Sequence, residues 1–75
     1  MACLTRKKHA GRRVIWRFKG TGKLRTGIFL SDANKELSWF SEGSYAIFDL
    51  KTRALYLDVD PHHVTLDAIH PKPVF

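Results

Sequence analysis

The side chains of this chain best suited to do chemistry are cations and apolar groups interleaved at strand spacing. Arg13, Arg17, Lys19, Lys23 and Arg25 surround Ile15 and Phe29 within Gly11–Leu30, GRRVIWRFKGTGKLRTGIFL. Several cations on one surface neutralise phosphates and release their counterions. Apolar or aromatic groups among them give bases a stacking platform worth ~1–3 kcal/mol per base. Arginine leads in these strands, and its planar fork suits phosphates and base edges. The pattern predicts contact with RNA or DNA, mainly through the backbone. Arg6, Lys7 and Lys8 of the N-terminal arm would add phosphate contacts. The simpler alternative is a solvated outer sheet face.

Other chemistries fare worse. His62, His63 and His70 lie among Asp58, Asp60 and Asp67, but a metal needs three or four ligands converging on one point. Adjacent His62 and His63 point to opposite faces of a strand, so no metal site and no cofactor is expected. Gly20-Thr21-Gly22 lacks the spacing of a phosphate-cradling loop. A His63–Asp67 pair is more simply a surface ion pair than part of a catalytic site, so the chain reads as non-catalytic. The rival function is a protein-interaction or regulatory adaptor that presents surplus aromatics, Phe40, Tyr45 and Tyr56, to a partner. Small basic barrels of mobile elements that block a host protein have this character. A homo-oligomer is compatible with either reading.

Charge and composition bound these options. Met1–Ser31 holds nine Lys or Arg and no acid, while Asp32–Phe75 holds four against seven. The halves carry +9 and −3, which sum to the formal net charge of +6. Such a balance favours an anionic partner. Seventy-five residues make one small domain, and a chain of this size buries only about 60% of its unfolded surface. Cys3 is the single cysteine, which excludes an intrachain disulfide and fits a reducing compartment. No apolar run approaches the ~18 residues of a membrane span, and Met1–Arg13 shows no secretory h-region. A cytoplasmic protein without a membrane partner is expected.

The elements that would position these residues are short strands. Arg13–Lys19 alternates, with Val14, Trp16 and Phe18 inward and Arg13, Ile15, Arg17 and Lys19 outward. Lys23–Leu30 follows a glycine turn; its pattern predicts Leu24, Thr26, Ile28 and Leu30 inward and Arg25, Gly27 and Phe29 outward. Glu36–Phe40 and Tyr45–Leu50 read as strands three and four. Ala54–Val59 reads as a fifth, with Leu55, Leu57 and Val59 inward and Tyr56 and Asp58 outward. Asp60-Pro61 is a good helix start, yet Val64–Ile69 alternates, and a final strand is favoured over a helical turn. Residues 1–10 then form a basic, frayed arm, 11–70 the domain and 71–75 an extended tail. The fold class is all-β: a small five- to six-stranded SH3-like or Sm-like barrel, or a strongly curled antiparallel sheet, with little helix.

The segment GRRVIWRFKGTGKLRTGIFLSDANKEL resembles the first half of an Sm-like domain. Gly22 and Gly27 have that family's five-residue spacing, Asn34 and Leu37 match its Asn and Leu, and Val64–Ile69 resembles the closing strand, including that of small Rho-binding antiterminators. The resemblance implies a small barrel and RNA binding. The Asp32–Asn34 loop is shorter than the family's, so the uridine pocket built there is not implied.

Overall fold

A computed structural model describes residues 4–18, 22–32 and 43–75. The alternation that opens at Arg13 makes strand β1 (Arg13–Arg17), with Val14 and Trp16 enclosed and Ile15 exposed between them. β2 (Leu24–Ser31), β3 (Tyr45–Asp49), β4 (Leu55–Val59) and β5 (Val64–Leu66) complete one five-stranded sheet. Its order is β4-β3-β2-β1-β5, and every pairing is antiparallel. Helix is confined to one turn, α1 (Arg6–His9), and a 3-10 turn, Pro61–His63. The expected strand at Glu36–Phe40 lies outside the described residues.

The sheet must curl. β4 and β5 are its two edges, yet only Asp60–His63 joins them. Flat, five strands would hold those edges about 19 Å apart, at ~4.8 Å per spacing. A 3-10 turn rises only ~2 Å per residue. The result is a curled, open sheet with a radius of gyration of 11.1 Å. No ladder joins β4 to β5 among the described residues. The concave side is the core: Leu4, Val14, Trp16, Phe29, Tyr45, Ile47 and Val59 are buried together, with Phe18, Tyr56, Val64 and Leu66 packed against them.

β2 presents the opposite face to that expected and β4 does so in part, with Val59 inward and Asp58 outward as expected but Leu55, Tyr56 and Leu57 reversed. Both differences come from register. β1 meets β2 as Val14↔Gly27, Trp16↔Arg25 and Arg17↔Leu24. Cross-strand partners share a face, so Arg25, Gly27 and Phe29 point inward and Leu24, Thr26 and Ile28 outward. A single-residue slip would have produced the expected set. Phe29 is therefore core, its ring edge-on to Tyr45 with centroids 5.0 Å apart, and Arg25 leaves the predicted basic face. In β4, Tyr45↔Val59 is followed by Ile47↔Tyr56. Three steps along β4 answer two along β3, which is a β-bulge. It turns Tyr56 and Val59 to the core and leaves Leu55 and Leu57 exposed.

The chain ends are tied more firmly than expected. In the arm, Leu4 is buried and its N–H donates to the Tyr45 hydroxyl at 2.9 Å. Thr5 caps α1 by accepting from the Lys8 N–H, and the Arg6 N–H donates to Asp32 Oδ1. Asp60 caps the 3-10 turn with Pro61 at its start, and β5 follows at once, so residues 61–66 hold both alternatives in succession. β5 stops at Leu66 because the Asp67 carboxylate accepts from the Ile69 N–H and bonds His70. The tail returns along Gly11, whose carbonyl accepts from the Val74 N–H at 2.8 Å.

Gly27 is the tightest point of the wall. A Cβ there would lie 2.6 Å from Ile47 Cγ2 and 3.0 Å from both Phe48 O and Trp16 Nε1. Gly27→Ala should therefore destabilise the domain by about 1–3 kcal/mol through overpacking. A urea titration showing an unchanged midpoint would contradict this packing.

Candidate functional site

Two basic turns share one end of the sheet. The β1–β2 hairpin closes with the Phe18 N–H on the Lys23 carbonyl and the Gly22 N–H on the Phe18 carbonyl. It carries Arg17 and Lys23, both exposed, and the Arg17 guanidinium donates to the Gly22 carbonyl at 3.1 Å. The β3–β4 turn closes with the Asp49 N–H on the Ala54 carbonyl and the Arg53 N–H on the Asp49 carbonyl. It presents Lys51 and Arg53, also exposed. Arg53 has φ 58°, the left-handed conformation this turn requires. The Leu50 N–H donates to the Thr26 carbonyl, which lays the second turn beside the first.

The carboxylate of Asp49 joins the two turns. It is fully enclosed. It accepts from Trp16 Nε1–H at 3.2 Å, and from the Thr52 N–H and hydroxyl at 2.9 Å each. Arg25 Nη1 lies 3.8 Å away, and its guanidinium sits 4.1 Å over the Phe18 ring. Burial pushes the Asp49 carboxyl up, but the Thr52 and Trp16 hydrogen bonds and the Arg25 charge outweigh it and hold the group below its usual range.

Between the turns lie aromatic rings. Phe18 and Tyr56 meet edge to face with centroids 5.4 Å apart and planes at 83°. Trp16 lies beneath them, 5.7 Å from Phe18 and 5.0 Å from Tyr56. Phe18 and Tyr56 are half-buried. The end of the sheet thus combines a cationic rim with an aromatic floor.

The fold divides the predicted site residues. Arg13, Ile15 and Arg17 share the outer face, as expected, and Lys23 stands at the hairpin. Arg25 and Phe29 are inside. Lys19 and Phe40 lie outside the described residues. Arg6, Lys7 and Lys8 are exposed on α1, but α1 packs at the far end of β2. Eight residues of β2 put that helix about 23 Å from the hairpin, at ~3.3 Å per residue. Tyr45 is enclosed and its hydroxyl is occupied by Leu4, so it is not a partner-binding aromatic. The pattern missed Lys51 and Arg53. Their signal is connectivity: in a meander, the first and third connections fall at one end.

The histidines form pairs. His62 Nδ1 is 3.1 Å from Asp60 Oδ1, His63 Nε2 is 3.9 Å from Asp60 Oδ2, and His70 Nδ1 is 2.9 Å from Asp67 Oδ2. Burial raises the Asp60 carboxyl, but the His62 and His63 contacts hold it below the usual range. Asp67 is held low chiefly by the His70 ring and the Ile69 N–H. No group of three potential metal ligands occurs among the described residues. No helix among them is long and apolar enough to cross a membrane. The chain matches no protein-family model, and neither a curated protein nor a solved structure matches it.

Asp49→Asn removes the charge and forces an amide donor toward the Trp16 and Thr52 donors. It should cost about 1–3 kcal/mol, the penalty for stranding buried polar groups. Because the folded carboxyl of Asp49 lies below its unfolded value, its stabilisation is complete above about pH 4 and is lost as pH falls below that. The variant should therefore show a shallower acid limb than wild type below about pH 4. Identical acid limbs in thermal melts would contradict the assignment.

Proposed function

We propose that this protein is a non-catalytic nucleic-acid-binding module that grips the phosphate backbone with the rim Arg17, Lys23, Lys51 and Arg53. The observation that carries the reading is that two separate turns bring these cations to one end of the sheet. Among the described residues, Lys51 and Arg53 have no carboxylate partner to neutralise them. The half-buried Tyr56 ring, beside a Phe18 ring already covered by Arg25, offers bases a surface to stack on. The likeness of residues 11–37 to Sm-like domains agrees with RNA as the ligand. Backbone contacts carry little sequence information, so specificity is low. Arg6, Lys7 and Lys8 lie more than a Debye length from the rim, which is about 8 Å at physiological salt. They form a second, independent phosphate contact. The adaptor reading loses Tyr45 to the core and keeps only Tyr56 among the described aromatics proposed for it.

Fluorescence anisotropy with labelled oligonucleotides across a potassium chloride series tests the proposal. Each phosphate contact contributes about 0.7–0.9 to the slope of log K against log salt. Lys51→Ala/Arg53→Ala should reduce that slope by about 1.4–1.8 while leaving the fold intact. Affinity that does not change between low and physiological salt would overturn the reading.

A further inference from the structure

The convex side of the sheet carries an apolar surface that the core does not use and that meets the basic rim only at Arg17. Register places Leu55, Phe48 and Ile28 in one row across β4, β3 and β2, and continues it to Arg13 on β1. Ile15 and Leu24 extend the surface toward the hairpin, beside Arg17. Leu24 is 64% exposed, Leu55 53% and Ile15 37%. Phe48 and Ile28, in the middle, are only half-buried. The rows paired across β1, β2 and β3 hold no acidic side chain facing outward. Arg13 and Arg17 have no carboxylate in ion-pair reach among the described residues.

Charge and chemistry select the occupant. A second copy would oppose one cationic face with another, in a chain of net charge +6. A nucleic acid would satisfy the arginines, but the side chains exposed to it are Leu24, Leu55 and Ile15, while the ring in the row, Phe48, is half-buried among its neighbours, and bases need open rings to stack on. A segment with a leucine-type stripe and flanking carboxylates satisfies both halves of the surface. A row crossing four strands suits a helix laid on a sheet, a common way to bury a sheet face. We propose that the convex face docks an acidic amphipathic helix of a partner protein, with Arg13 and Arg17 as the charge-matching residues. This surface is distinct from the rim at the turns, apart from Arg17 at their shared corner.

A labelled helical peptide with leucine along one stripe and glutamate elsewhere is the probe. A second peptide carries lysine at every glutamate. The glutamate peptide should bind the full chain, and the lysine peptide at least about tenfold more weakly. Leu24→Ser/Leu55→Ser should weaken the glutamate peptide by about tenfold, whereas Lys51→Ala/Arg53→Ala should not. Both leucines are exposed, so circular dichroism should report an unchanged fold; if it does not, Ile15→Thr is the replacement variant. Equal binding of the two peptides, or binding of neither, overturns the proposal. So does a wild-type dimer in sedimentation that Leu24→Ser/Leu55→Ser converts to monomer, since the occupant would then be a second copy. Oligonucleotide affinity measured on the same variants separates this outcome from failure of the nucleic-acid reading.

Discussion

A carboxylate taken out of water is tolerated only when other groups replace its hydration, because an unpaired buried charge costs several kcal/mol. Asp49 meets that condition at the end of β3, where Trp16, Thr52 and Arg25 converge on it. Each partner comes from a different place: the hairpin end of β1, the β3–β4 turn and the start of β2. Satisfying one charge therefore fixes three segments relative to one another. Gly27 permits it, since a Cβ there would crowd Ile47 at 2.6 Å and the Trp16 indole nitrogen at 3.0 Å. Arg25, turned inward by the hairpin register, approaches the same charge and rests on Phe18. The geometry of the basic end thus follows from one buried group.

That dependence explains which parts of the structure were legible in the sequence. Strands β1, β3 and β4 were readable because β-branched and aromatic residues alternate or cluster there. The Asp60-Pro61 start of the 3-10 turn was readable from its capping chemistry. The facing of β2 was not, since Leu24, Thr26, Ile28 and Leu30 form as good an apolar set as Gly27 and Phe29. Only the hairpin register decides between them, and no residue near the turn announces it. A glycine inside a strand does hint at a close approach, and Gly27 beside Phe29 carried that hint. The bulge that turns Tyr56 inward likewise leaves no mark on the alternation of Leu55–Val59.

The candidate site was legible in composition but not in placement. The excess of cations before Ser31 is plain in the chain, and Arg13, Ile15 and Arg17 do share a solvent face. The fold then distributes the remaining charges. Arg25 becomes an internal counterion, α1 carries three cations to the far end, and Lys51 and Arg53 join the hairpin from a half of the chain that is acidic overall. Three-dimensional proximity reverses the impression of a single basic hairpin. Its outer surface is instead part aliphatic, and the concentrated charge lies at the turns.

The central claim is that Asp49 is ionised, enclosed and bonded to the Trp16 indole. Carbon-13 detection of the Asp49 carboxyl during an acid titration, followed together with the exchange rate of the Trp16 indole proton, tests it most directly. The account predicts a midpoint below the ordinary aspartate value of about 3.9 and an indole proton that exchanges slowly until that midpoint is reached. A midpoint at or above the ordinary value, or an indole proton that exchanges freely at neutral pH, would contradict it.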